Sequence, residues 1–411
     1  MKAYVEAYGC TLNFGESREI EELLAGNGWD LVDDPSVCDL AVLVTCVVID
    51  TTERAMLKRV KELSETPEFI ITGCMATACK DKAEHLAPHA KFVAPGDFAA
   101  LSKLLGPGIR KENPSNARGP YSIVPIATGC KGKCSYCITR FARGELRSRP
   151  VSQVLEAIER AASGGPREIQ LTAQDTASFG ADIGEDLPSL VRRACGFPLD
   201  FRLRIGMMNP KSALPMSDRL AEMYLEPKVF KFLHLPVQSA SDRLLEDMER
   251  GYAVEDFKSI VDKVRAKVPD ITFSTDLIIG YPGETEEDHR LNLELVSEIK
   301  PDIVNVTRFS PRPGTKAAKA SHQVVGWKAK DRSREITELR FDVALEKNRL
   351  WVGKDVTALS TEMGKSGTTI LRNDEYKQIV VPEVLPLGRY FEIKVTEATP
   401  TYLLGKRAGL A

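Results

Sequence analysis

Short apolar runs, each followed by a stretch whose apolar residues fall at helical spacing, recur along most of this 411-residue chain. Strands of that kind are buried on both faces, and a helix between consecutive strands makes them parallel. In residues 1–105 the runs are Ala3–Tyr8, Leu40–Thr45 and Phe69–Thr72. Helical patterns lie at Glu16–Gly26, with Ile20, Leu23 and Leu24 apolar, and at Thr52–Leu63. These predict an N-terminal parallel α/β domain. Residues 106–120, GPGIRKENPSNARGP, have no apolar periodicity and read as a linker.

The alternation resumes at Tyr121. Candidate strands are Ser122–Ala127, Glu168–Thr172, Phe201–Ile205, Lys231–Leu235, Thr272–Ile279 and Ile303–Phe309. Candidate helices are Val151–Ala162, Leu187–Ala194, Ala213–Tyr224, Val254–Lys267 and Glu286–Ile299, followed by a charged helical stretch, Lys328–Arg349. Six strands with intervening helices predict a partial (β/α)6 barrel within residues 121–346. Residues 347–411 change character: Val356–Ser360, Thr368–Leu371, Lys377–Val381, Tyr390–Thr396 and Tyr402–Lys406 are short segments between turn residues. They predict a small antiparallel β-barrel, of a size that often binds RNA.

Cysteines mark the functional ends of these domains. Cys130, Cys134 and Cys137 form a C-x3-C-x2-C pattern in the loop Gly129–Arg149, just after the first barrel strand, and so at the mouth where barrel chemistry is placed. Three close thiolates without a fourth can hold three irons of a four-iron cluster and leave one open. A zinc site would need a fourth ligand, and none of the five histidines is near in sequence. Cys10, Cys46 and Cys74 each follow a predicted N-terminal strand, in AYGC, LVTC and ITGC, and should converge at one sheet edge. Cys38, Cys79 and Cys195 lack that position and read as core.

Nine cysteines, no apolar run long enough to span a bilayer and a start, MKAYVEAYGC, unlike a signal peptide predict a cytoplasmic protein with reduced thiols and no membrane partner. The net charge of −2 is unevenly spread. Six basic residues against one acid lie between Lys131 and Arg149, and residues 347–411 carry 10 Lys/Arg against 7 Asp/Glu. A basic loop and tail on an acidic body favour a polyanion at one face.

Polar residues near the barrel strand ends are candidate ligands. Gln174 and Asp175 follow the second strand, Arg204 lies on the third, Gln238 follows HLPV, and Asp276 precedes the glycine-rich turn beginning at Gly280. Each could instead serve only as a cap or turn residue.

With these motifs together, the chain resembles the radical S-adenosylmethionine methylthiotransferases. The C-x3-C-x2-C loop with Tyr136 before its last cysteine is similar to the radical enzyme signature. The domain carrying YGC, TC and GC resembles the family's cluster-binding domain, and the tail resembles its TRAM domain. Within the family, GCxGxCSYCITxxARGxLRS resembles the archaeal and eukaryotic-type enzymes acting on threonylcarbamoyladenosine (t6A) in tRNA; LTAQD, HLPVQS and DLIIGYPGET also fit.

The resemblance implies two [4Fe-4S] clusters and S-adenosylmethionine as cofactors. Cys130, Cys134 and Cys137 would hold the cluster that cleaves S-adenosylmethionine to a 5′-deoxyadenosyl radical, which removes hydrogen from adenine C2. Cys10, Cys46 and Cys74 would hold an auxiliary cluster supplying the sulfur. Gln174, Asp175, Arg204, Gln238, Asp276 and Gly280 become candidates for the S-adenosylmethionine pocket. Arg140, Arg143, Arg147 and Arg149 become candidates for contact with the anticodon loop, around a flipped t6A at position 37. A monomer fed by an external electron donor is expected. Alternatives are isopentenyladenosine tRNA, a ribosomal-protein aspartate, and a non-catalytic iron–sulfur RNA-binding role. The basic tail favours RNA, and the complete second cysteine set argues against binding alone.

Overall fold

The computed structural model describes residues 1–106, 121–164 and 168–409, so all of the expected linker except Gly106 lies outside the described residues. The first domain runs β1 (Lys2–Ala7), α1 (Thr11–Gly26), β2 (Asp30–Leu31), β3 (Leu40–Thr45), α2 (Asp50–Leu63), β4 (Glu68–Gly73), α3 (Met75–Ala78), α4 (Lys80–Leu86), β5 (Lys91–Phe92) and α5 (Phe98–Leu105). Its sheet is entirely parallel, in the order β2-β1-β3-β4-β5. Every residue of β3 is buried, as its unbroken LAVLVT predicts, because one hydrophobic cluster covers each face of the sheet. Sequence patterning missed β2 and β5, two-residue edge strands too short to show a period.

The middle domain begins with β6 (Tyr121–Pro125), β7 (Ala127–Thr128), α6 (Thr139–Arg143), β8 (Arg147–Ser148), α7 (Val151–Ser163), β9 (Glu168–Thr172), α8 (Leu187–Cys195) and β10 (Arg202–Ile205). It continues with α9 (Pro210–Ala213), α10 (Ser217–Met223), β11 (Phe232–His234), α11 (Asp242–Asp247), α12 (Val254–Lys267), β12 (Thr272–Ile279), α13 (Glu286–Ile299), β13 (Ile303–Arg308) and α14 (Gly326–Arg349). Six strands pair in parallel as β6-β9-β10 and β11-β12-β13, and a bridge from Leu203 to Val229 joins the halves. The barrel is therefore partial, with β6 and β13 as its free edges. Helix starts are marked locally: Thr285 and Asp288 form a reciprocal cap on α13, and Asp186 caps α8 ahead of Pro188. The helix expected at Ala213–Tyr224 is divided, α9 ending at Ala213 and α10 starting at Ser217 around Pro215.

The last domain is a closed barrel of β14 (Asp355–Met363), β15 (Thr369–Asn373), β16 (Gln378–Val381), β17 (Tyr390–Ala398) and β18 (Leu403–Arg407), in the order β14-β15-β16-β18-β17. Its one parallel pair, β16 with β18, departs from the antiparallel expectation. An odd number of strands cannot alternate direction all the way round a closed ring, so one parallel pairing is unavoidable. The expected boundary at residue 347 falls within the last turns of α14, which carries the chain from one barrel to the other. No helix among the described residues is long and apolar enough to cross a membrane.

Candidate active site at the strand ends

Cys10, Cys46 and Cys74 come from the carboxyl ends of the adjacent strands β1, β3 and β4. Gly73 makes the approach possible. Its φ is +80°, and a Cβ there would stand 2.4 Å from the Thr45 carbonyl oxygen, so only glycine lets β4 end this close to β3. The Cys74 N–H then bonds to Thr45 O at 2.9 Å. The thiols influence one another: burial pushes Cys74 up to about 12, with the charges of Cys10 and Cys46 adding to the rise. A Cβ at Gly9 would lie 2.9 Å from Cys46 Sγ, so Gly9 keeps the space beside that sulfur open.

The second set sits in the loop between β7 and α6. At Gly129, φ is +76° and a Cβ would fall 1.9 Å from Glu145 O, so glycine is required where the loop closes on itself. Gly132 donates its N–H to Cys130 Sγ at 3.2 Å, and a Cβ there would lie 3.3 and 3.6 Å from the sulfurs of Cys130 and Cys134. The loop thus leaves a cradle between sulfurs. Burial pushes Cys130 up to about 11, with Asp175 and the other two thiols contributing. Among the described residues, no three Cys, His, Asp or Glu side chains converge as one metal ion would need. Each set instead offers three cysteines and no histidine or carboxylate, which is the donor chemistry of a four-iron cluster with one open iron.

The two sets are physically linked. Cys74 leads into α3 and Cys137 leads almost directly into α6, and these helices pack together through Ala76, Ile138 and Ala142. Thr77 Oγ1 donates to Ala142 O at 2.7 Å. Arg143, at the end of α6, donates to Glu16 Oε1 and Oε2 at 2.6 and 2.8 Å and to Asn13 Oδ1 at 2.7 Å. Asn13 also accepts from Cys10 Sγ at 3.8 Å and donates to Thr45 O at 2.9 Å.

This corrects the RNA-contact expectation for Arg143, which is 3% exposed and occupied between the thiol sets. Arg149 is also tied down, donating to both oxygens of Glu19 at 2.5 and 2.7 Å. Arg140 is partly exposed and bonds Gly132 O and Glu145, while Arg147 is exposed. Of the four only Arg147 is exposed, while Arg140 and Arg149 are each half-buried and paired with a glutamate. Basic spacing could not reveal this, because the matching acids lie on α1, more than a hundred residues away in sequence.

The pocket candidates divide. Asp175 is 3% exposed, accepts the Asn209 N–H at 2.9 Å and is raised by burial, close enough to Cys130 to affect it. Gln174 Oε1 is buried without a hydrogen-bond partner, as a ligand-facing amide would be. Gln238, with φ +73°, and Asp276 meet through a backbone bond of 2.8 Å. The Asp276 carboxylate is held by His234 Nε2 at 2.9 Å and Asn305 Nδ2 at 2.7 Å. Gly280 departs from expectation: a Cβ there would stand 2.6 Å from Ala329 Cβ, so its close approach is to α14 and not to a ligand. Arg204 also separates from the group, stacking 5.7 Å from the Tyr376 ring of the small barrel.

Sequence reasoning missed Arg250. It is 6% exposed and donates to Cys134 Sγ at 3.5 Å, Tyr136 Oη at 3.4 Å and Pro236 O at 3.0 Å. The available signal was its setting between Glu249 and Gly251, both at positive φ, a turn that drives one side chain inward. Tyr136 packs edge-on to Tyr281 at 6.4 Å, closing the loop's outer side.

Comparison with known proteins agrees with this layout. Residues 124–296 match the radical SAM superfamily, residues 2–95 the family described as uncharacterized protein family UPF0004, and residues 349–407 the TRAM domain. The chain is 38% identical, over 99% of both sequences, to the Archaeoglobus fulgidus protein named "Probable threonylcarbamoyladenosine tRNA methylthiotransferase". It is 33% identical to the Xenopus laevis threonylcarbamoyladenosine tRNA methylthiotransferase over 98% of this chain and 77% of that one. Among solved structures, the radical S-adenosylmethionine methyltransferase TsrM from Kitasatospora setae shares the fold, with a TM-score of 0.57 at 15% identity over 77% of this chain and 76% of that one.

Proposed function

Because this chain belongs to the family of threonylcarbamoyladenosine tRNA methylthiotransferases, we propose that it converts t6A at position 37 of tRNA to 2-methylthio-t6A by exchanging the adenine C2 hydrogen for a thiomethyl group. It is a radical S-adenosylmethionine enzyme of the tRNA-modifying class. We assign it three domains, 1–105, 121–346 and 347–411, and two [4Fe-4S] clusters. One is held by Cys130, Cys134 and Cys137, the other by Cys10, Cys46 and Cys74. When bound, the first would supply the electron that cleaves S-adenosylmethionine and the second the sulfur. The observation that carries this reading is the presence of two all-thiol sets joined through Arg143, Asn13 and Glu16.

The protein's own residues orient and shield. Gln174 offers an unpartnered buried acceptor, and Asp175 is held in place by the Asn209 N–H. Gln238 and Asp276, joined by a backbone hydrogen bond at the ends of neighbouring strands, would contribute further polar groups to S-adenosylmethionine binding. Arg250 places a fixed positive charge beside Cys134. Tyr136 and Tyr281, packed edge to face, would help keep water from the loop once substrate is bound, as radical chemistry requires. Arg147 would meet the anticodon loop, alongside the TRAM barrel, and Arg140 could join it by exchanging the exposed Glu145 for a phosphate. The protein acts in the cytoplasm as a monomer that draws on an external electron donor.

Mass spectrometry of tRNA nucleosides from a deletion strain tests the assignment. Loss of 2-methylthio-t6A with accumulation of t6A is expected. An unchanged profile would refute a tRNA substrate and point to the ribosomal-protein aspartate.

A further inference from the structure

The partial barrel leaves a cavity of about 500 Å3 toward the starts of its strands, lined by Tyr121 of β6, Glu168 of β9, Arg204 of β10, Thr272 of β12 and Ile303 of β13. Thr11 and Phe14 of α1, just after Cys10, and Tyr376 and Tyr402 of the small barrel also line it. All three domains therefore meet around it. Resting on the RNA-modifying reading above, we propose that this cavity seats one nucleotide of the tRNA substrate and that Arg204 pairs with an oxyanion of it, either a backbone phosphate or the threonylcarbamoyl carboxylate.

Arg204 carries the inference because its charge is unmatched. Its guanidinium lies 4.9 Å from the Phe232 ring and 5.7 Å from the Tyr376 ring, and among the described residues it makes no ion pair or hydrogen bond. Its Nε is buried without a partner. The side chain as a whole is half-buried on the cavity wall, where its fork is available to an anion brought by a ligand.

The neighbouring acids are taken. Asp302 is held by Lys347 and Lys377 at 2.5 and 2.6 Å, and Glu168 accepts from Tyr376 Oη and Gln170 Nε2 at 2.6 and 2.7 Å. Arg372 stacks on the same Tyr376 ring at 4.8 Å and reaches Glu362 only at 3.9 Å. An arginine fork set among aromatic rings is the chemistry that recognises a phosphate or carboxylate attached to a flat base.

The test measures binding of the full-length protein to two anticodon stem-loop RNAs, one with adenosine and one with t6A at the modified position. Wild type, R204Q and R204K are compared by fluorescence anisotropy. R204Q should bind about tenfold more weakly, the scale of one charge-assisted hydrogen bond, and R204K should recover only part of that loss, because lysine keeps the charge without the fork or the ring stacking. Weakening toward both RNAs, with a salt dependence reduced by about one phosphate contact, identifies the phosphate. Weakening toward the t6A RNA alone identifies the carboxylate. Wild-type affinity of R204Q for both RNAs overturns the proposal. Should R204Q melt early, R204M, which keeps an unbranched stem against the rings without the charge, replaces it with the same expected loss, and unchanged binding by folded R204M overturns the proposal. A wild-type protein that binds neither RNA would instead refute the RNA-modifying reading itself.

Discussion

Arg143 grips Glu16 through both carboxylate oxygens, at 2.6 and 2.8 Å, with neither side chain more than 5% exposed. The pair joins the end of α6, anchored by the Cys130–Cys137 loop, to α1, which begins at Cys10. Two thiol sets from different domains are thereby held in one relation. Flexible loops could not hold them so, because bidentate pairing fixes orientation as well as distance.

Arg143→Met should destabilise the protein by about 3–5 kcal/mol, because Glu16 is left buried and charged without a partner. Urea denaturation measures this. Adding Glu16→Met to Arg143→Met should recover part of the loss, since both charges then leave the interior. A single variant as stable as wild type would show that the pair is dispensable.

Anaerobically reconstituted protein should contain about eight iron and eight sulfide per chain, as two four-iron clusters require. The Cys10→Ala, Cys46→Ala, Cys74→Ala triple variant should retain about half. Iron and sulfide near four in the wild type would refute the second cluster.

Cys10→Ala alone should still cleave S-adenosylmethionine reductively but yield no thiomethyl nucleoside. Chromatographic measurement of 5′-deoxyadenosine and of tRNA nucleosides separates the two outcomes. Loss of both activities in a folded variant would mean that the thiol sets do not have separate roles.

Removing the Arg250 charge beside Cys134 should make the cluster at that loop harder to reduce, because a nearby cation and N–H···S bond stabilise the added electron. Arg250→Met should shift its midpoint potential to more negative values in an EPR-monitored titration and slow S-adenosylmethionine cleavage. Arg250→Lys should restore part of the shift. An unaltered potential would remove Arg250 from this role.

Burial raises Glu284 from 4.5 to about 7, against the opposing Gly280 N–H and the Arg332 charge. The folded state therefore prefers the protonated carboxyl. Its stabilising contribution is complete below about pH 4.5 and is lost as pH rises to about 7, amounting to about 3 kcal/mol. Glu284→Gln should flatten the pH dependence of stability across that window, read from denaturation midpoints. Matching profiles for the variant and wild type would contradict the shift.

Much of the architecture was legible because parallel strands and amphipathic helices announce themselves by period. Glu168–Thr172, Thr272–Ile279, Val254–Lys267 and Glu286–Ile299 lie where the apolar pattern placed them. The thiol sets were legible because strand ends in parallel sheets gather at one edge. The fate of Gly280 was not, because nothing near it in sequence indicates that Ala329 packs against it.

The sequence by itself determined the main strands of the first two domains, that they run parallel, and which cysteines follow their ends or share one loop. Those properties follow from local periodicity and from the chemistry of thiols. Only the tertiary structure decided what each arginine does. Arg143 and Arg149 found carboxylates on α1, Arg250 turned inward to Cys134, and Arg204 was left among aromatic rings with no anion among the described residues. A guanidinium is long, always charged and driven to pair once buried, so its role is set by what the fold brings within its reach.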